Sequence, residues 1–147
     1  MNDAQFDLPI QQFLHWVYEK PDEVYLTQPD LHGALTHYTW RQVHHEVTRM
    51  AQYLQRFPKS SRIAIYSLNC AHWIMADLAI WYAGYISVPI YPTAGKDNIK
   101  TILEHSGAEL VFVGKLYDFV DKRSAIPERC KLIAMHQTHL DLMHWDE

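Results

Sequence analysis

Glycine is scarce in this chain. The five that occur, Gly33, Gly84, Gly95, Gly107 and Gly114, never fall within three residues of one another. A phosphate-cradling loop needs closely spaced glycines so that backbone N–H groups can turn toward the anion, and no loop of the P-loop or dinucleotide type can be written here. Cysteine is scarcer still. Cys70 and Cys130 make neither a disulfide framework nor a zinc spacing and read as reduced thiols. Runs of Lys and Arg are missing and the formal charge is −4, which removes the clustered cations on which nucleic-acid binding rests. The longest apolar stretch, Trp73 to Ile86, is broken by Asp77 and falls short of the roughly 20 residues of a membrane span. Met1 to Ile10 carries Asp3 and Asp7 and no basic region, unlike a secretory signal. The expectation is a cytoplasmic chain with no transmembrane segment and no nucleic-acid partner, long enough at 147 residues for one domain with a respectable core.

What is present is a strand, a helix and a strand between Arg62 and Tyr91. Two short runs rich in β-branched residues, Arg62 to Tyr66 and Ile86 to Ile90, flank a helical segment opened by Asn69 as N-cap and closed near Gly84. Two parallel strands require a connection of this kind. The helix is apolar almost all round, with His72 and Asp77 as its clear exceptions, and so calls for cover on more than its sheet side.

Upstream, Pro9 to Lys20 has helical spacing, with Asp7 as its cap. Val24 to Thr27 and Leu35 to Thr39 read as a hairpin across Pro29, Asp30 and Gly33. Thr39 and Gln42 form a capping box for a helix that Pro58 stops, with Val43, Val47, Met50, Leu54 and Phe57 on one face. Downstream, a helix from Asp97 to Ser106 ends at Gly107, and a strand follows from Leu110 to Val113. Leu116 to Arg123 reads as a further helix with Phe119 and Val120 facing in, Lys131 to Met135 as a strand, and His136 to Glu147 as a polar tail without assigned structure. The β-α-β-α-β-α-β order predicts an α/β fold, an open and mostly parallel sheet with helices on both faces, preceded by a helix and a short β-hairpin. Residues 1–60 form the helix, hairpin and long helix; residues 61–147 form the sheet portion.

The run SLNCAHWIMADLAIWYAGYISVPIYPT resembles the first α/β region of the adenylate-forming (AMP-binding) enzymes, through Asn69, Trp73, Ala79, Ala83, Gly84, Val88 and Pro89. The opening FLHWVYEKPDEVYLT and LTHYTWRQV is similar to the same family, and Pro89 to Thr93, Pro-Ile-Tyr-Pro-Thr, looks most like its long-chain fatty acyl-CoA ligase branch. The resemblance covers about residues 5–135. It implies a parent enzyme that activates a fatty acid with ATP and Mg²⁺ and passes the acyl adenylate to coenzyme A. It also implies a chain several times longer, in which these residues form one incomplete subdomain of the large N-terminal domain, with a peripheral membrane association open to the parent. No position here matches the family's phosphate loop or catalytic residues, so no catalytic, cofactor-binding or metal residue is carried over.

Three local features invite chemistry of their own. Cys70 follows a strand and opens a helix, as the nucleophile of a cysteine hydrolase does, although no glycine elbow flanks it; the simpler reading is a small buried residue. Asp77 is either a catalytic acid or a carboxylate paired with a hydroxyl, a backbone N–H or Arg62. His136, His139 and His144 can be drawn as a metal site but lack Cys or carboxylate partners at familiar spacing, and His44 and His45 are expected to face solvent. Trp16, Trp40, Trp73, Trp81 and Tyr82 line either an acyl tunnel or, more simply, the core. The expected function is therefore the N-terminal part of a long-chain acyl-CoA ligase, inactive alone and prone to self-association through apolar surface. A stand-alone binding module of the same fold is the alternative, with a Cys70 hydrolase behind it.

Overall fold

The computed structural model describes residues 8–147. Helix α1 (Pro9–Glu19) leads into an antiparallel hairpin of β1 (Val24–Pro29) and β2 (Leu35–Thr39). Asp30 sets the turn, its Oδ1 accepting from the backbone N–H groups of His32 and Ala34 at 2.8 Å each. The proposed cap of α1, Asp7, lies outside the described residues; the Leu8 N–H is instead bonded by Gln11 Oε1. The capping box of α2 (Trp40–Leu54) forms as expected. Thr39 Oγ1 accepts from the Gln42 N–H at 3.2 Å while Gln42 Oε1 accepts from the Thr39 N–H at 2.8 Å.

From there the chain alternates through β3 (Arg62–Tyr66), α3 (Ala71–Tyr82), β4 (Ile86–Ile90), α4 (Lys96–Ser106), β5 (Leu110–Val113), a single turn α5 (Phe119–Lys122) and β6 (Lys131–Ala134), to a two-residue β7 (Met143–His144). The five strands β3 to β7 pair in the order β4-β3-β5-β6-β7, and every pairing is parallel. Alternation along each strand divides two cores. Ile63, Ile65, Leu110, Phe112 and Ile133 face α1, α2 and α3. Ala64, Tyr66, Val111 and Val113 face α4 and α5. Helix α3 is apolar all round because it is wedged between the sheet on one side and α1, α2 and β1 on the other.

Four expectations change. Asn69 is exposed and does not cap α3; Cys70 stands at the N-cap without a side-chain bond, and the free Ala71 N–H is taken by Gln28 Oε1 of the hairpin at 2.7 Å. A cap supplied from 43 residues upstream leaves no local signature. The α5 region is one turn followed by a 3₁₀ turn at Arg123–Ala125, so Phe119 is buried while Val120 is 85% exposed. Helical neighbours point about 100° apart, and a single turn has room to bury one of them. His44 is half-buried against Phe13 and Tyr82, while His45 is exposed as expected.

The largest change is at the C-terminus. The polar tail closes the sheet: β7 extends it beside β6, and Trp145, only 1% exposed, packs against Phe112 at 5.4 Å. Trp145 Nε1 donates to Glu46 Oε2 at 2.8 Å, and Arg49 donates to the Trp145 carbonyl at 3.0 Å.

Candidate functional site

In open parallel sheets, ligands gather where neighbouring strands send the chain in opposite directions. Here that point lies between β3, which leads through α3 to β4, and β5, which leads through α5 to β6. The two loops are sewn together. Leu68 N–H donates to the Lys115 carbonyl at 3.0 Å and Gly114 N–H to the Tyr66 carbonyl at 3.1 Å. The buried Ser67 side chain occupies the space a Cβ on residue 114 would need, and its Oγ donates to the Leu68 carbonyl at 2.6 Å. With the Ala71 N–H also bonded, three backbone donors of this crevice, those of Leu68, Gly114 and Ala71, are already used within the protein and are not free to hold a phosphate.

Cys70 sits at the rim of this crevice, half-buried, with its thiol 4.0 Å from the Ser67 hydroxyl. The Ser67 hydroxyl is no general base and already donates to the Leu68 carbonyl, so it does not supply the base of a hydrolase's nucleophile-base pair.

A different cavity, of about 580 Å³ and open to solvent, lies between the first turns of α1 and the outer face of α3. Its walls are aromatic. Trp16, Trp40 and Trp81 of the expected set meet here, joined by Phe13 and Tyr25; Trp73 packs on the core and Tyr82 against His44 instead. Tyr25 and Trp40 stack at 3.7 Å, and Phe13 lies about 6 Å from both, at 6.1 and 6.0 Å. Asp77 lines the same cavity, one helical turn before Trp81. No ion pair reaches Asp77 among the described residues, Arg62 included, and its Oδ1 is buried without a hydrogen-bond partner. Burial pushes its carboxyl above the ordinary carboxylate range, with the nearby Ser87 hydroxyl offsetting part of that effect.

The histidines divide. His72 of α3 is 3% exposed and stacks face to face on His136 with ring centres 3.9 Å apart; His136 Nε2 in turn lies 2.8 Å from Asp146 Oδ2. Burial, then the neighbouring His136, lowers the His72 pKa to about 4. Beside them, burial pushes Glu46 up, but hydrogen bonds from Arg49 and Trp145 outweigh it and hold the carboxyl below its usual range. His139 is exposed, and among the described residues no three His, Cys, Asp or Glu side chains converge as a metal site. The stack was not foreseen from sequence, although a histidine placed in an apolar helix marked one half of it.

The family model described as AMP-binding enzyme matches residues 13–144. The chain belongs to that family. Within the AMP-binding family it is similar to long chain acyl-CoA synthetase 1 of Arabidopsis thaliana, with 35% identity over 77 residues, 51% of this chain and 12% of the plant protein. It is also similar to the peroxisomal long chain acyl-CoA synthetase 6 of the same plant, at 28% over 116 residues, 68% of this chain and 15% of that one. The chain thus spans a small part of the length of these relatives. Among solved structures, acetoacetyl-CoA synthetase from Streptomyces lividans superposes with a TM-score of 0.79 over 93% of this chain and 24% of its own, at 19% identity, a likeness of fold. No helix among the described residues is long and apolar enough to cross a membrane.

Proposed function

We propose that these residues form the N-terminal part of the large domain of an ATP-dependent long-chain fatty acid–CoA ligase. In that reaction the carboxylate displaces pyrophosphate from ATP to give an acyl adenylate, and the coenzyme A thiol then displaces AMP to give the thioester. The observation that carries the reading is the family match over residues 13–144, joined by the similarity to plant long chain acyl-CoA synthetases. Residues 1–60 and 61–147 serve together as scaffold. Their described residues share the core on the α1–α3 face of the sheet, while ATP, Mg²⁺ and coenzyme A are held by residues elsewhere in the longer enzyme. Charge supports this division, because the aromatic cavity carries an unpaired carboxylate and so is ill suited to the anionic head of a fatty acid.

The test is ATP-dependent thioester formation by the longest translated product of the gene, offered hexadecanoate, acetate, benzoate and amino acids in turn. Preference for hexadecanoate supports the reading. Preference for an amino acid or an aryl acid places the enzyme in another branch, and the 147-residue chain alone is expected to release no pyrophosphate.

The 147-residue chain is also expected to self-associate. Strand β4 is a sheet edge with Ile86 exposed, and Tyr91, Tyr117 and Val120 are all more than four-fifths exposed. Sedimentation that shows a monomer at micromolar concentration, with cooperative unfolding, supports the second reading, a stand-alone binding module. The filled cores on both faces of the sheet are the observation that favours that alternative.

A further inference from the structure

The cavity between α1 and α3 combines two features that serve one kind of ligand. Its walls are the faces and edges of Phe13, Trp16, Tyr25, Trp40 and Trp81, and the one carboxylate among its described lining residues, Asp77, has no cationic partner there and only the Ser87 hydroxyl beside it. Aromatic faces carry a negative quadrupole and attract cations, and more strongly where water is excluded. A lone carboxylate in such walls attracts the same charge. The protein already displays this affinity at the cavity's margin: Lys20 places its Nζ 5.3 Å from the Trp16 ring centre while pairing with Glu23 at 3.3 Å. That pairing leaves Lys20 tied to the rim. Hydrophobic helix faces usually carry no acid at such a position, since an unpaired carboxylate costs free energy on partial burial.

We propose that this cavity binds a small organic ammonium, a primary or quaternary amine carrying an aromatic or short alkyl body, with its cation at Asp77 and its apolar body against Trp16, Trp40 and Trp81. About 580 Å³ is within the range that drug-sized ligands occupy. An incoming cation supplies the counter-charge that Asp77 lacks, and it offsets the effect of burial on that carboxyl. The inference stands independently of the ligase reading, since it uses neither ATP nor the switch-point crevice.

Three probes of one shape decide it: 2-phenylethylammonium, the neutral 2-phenylethanol and the anionic 3-phenylpropanoate, titrated into the full chain near neutral pH. The readout is the indole N–H resonances of Trp16, Trp40 and Trp81. The ammonium is expected to bind best and the carboxylate worst, with about tenfold or more between them. Asp77→Asn is expected to bring the ammonium down to the level of the alcohol, whereas Trp81→Leu weakens all three probes alike. Equal or tighter binding of the carboxylate overturns the proposal and marks the cavity as an apolar or acyl site. So does the absence of indole shifts with every probe, or an unchanged preference in a folded Asp77→Asn variant. The wild-type comparison alone is decisive should that variant fail to fold.

Discussion

Trp145 concentrates the stability of the C-terminal segment in one side chain. Its ring fills the core beside Phe112 and its N–H is spent on Glu46, so Trp145→Ala is expected to cost about 3–5 kcal/mol, measured by urea unfolding, and to free β7 from the sheet. Acid should act on the same place. His72 stays neutral in the folded chain down to about pH 4, while in the unfolded chain it takes up a proton near 6.5. Stability that is complete above pH 6.5 is therefore lost progressively as pH falls toward 4, by about 3 kcal/mol. Glu46, held below its ordinary range, loses its contribution at still lower pH, as it is protonated through its folded pKa. Urea midpoints at pH 7 and pH 5 measure the first effect, and His72→Phe should flatten it; an equally steep fall in that variant would assign the loss to other groups. At Gly114, a methyl group would meet the Ser67 side chain and, at 2.7 Å, the Met135 Cε, so Gly114→Ala is expected to lose about 1–3 kcal/mol by the same measurement. Sequence pointed to Asp77 and His72 as polar exceptions in an apolar helix. It did not show what they face, because their neighbours come from α1, the hairpin and the tail. A tryptophan in a polar tail was the available signal for Trp145, since so large an apolar ring is seldom left in water.

At the level of elements, what could be read was what is local. The capping box at Thr39 and Gln42, the Asp30 turn and the strand alternation each lie within a few residues, and each formed as the sequence implied. Removing the hydroxyl with Thr39→Ala is expected to cost about 1 kcal/mol, with Thr39→Ser restoring most of it; no change in the unfolding midpoint would mean the α2 start is held by packing alone. Helix α3 shows the limit of local reading. Asn69 has the chemistry of a cap, yet Gln28 reaches the free N–H first because the hairpin packs against the helix N-terminus. Gln28→Ala is the matching experiment, and it is expected to expose the Ala71 amide to hydrogen exchange far more than a loss of Asn69 would. Residues Met143 and His144 carry no strand pattern of their own, and a two-residue strand is defined by its partner β6.

For the whole molecule, the alternation of strands and helices was enough to give the parallel sheet and the two-sided cover, since both follow from periodicity and connection length, while the family resemblance rested on particular residues such as Asn69, Trp73, Gly84 and Pro89. The aromatic cavity was legible only as a set of five side chains open to a tunnel or a core reading, of which Trp16, Trp40 and Trp81 line it. Trp16, Trp40 and Trp81 stand far apart in sequence, and only the packing of α1 against α3 brings them around Asp77. The central claim is that this αβ unit is one part of a longer acyl-CoA ligase, and the intact mass of the native gene product in its source tests it most directly. The account predicts a protein several times the 17.3 kDa of these 147 residues, with a glycine-rich phosphate loop beyond Glu147. A native product of 17.3 kDa that folds and stays monomeric would contradict it and leave a binding module in its place.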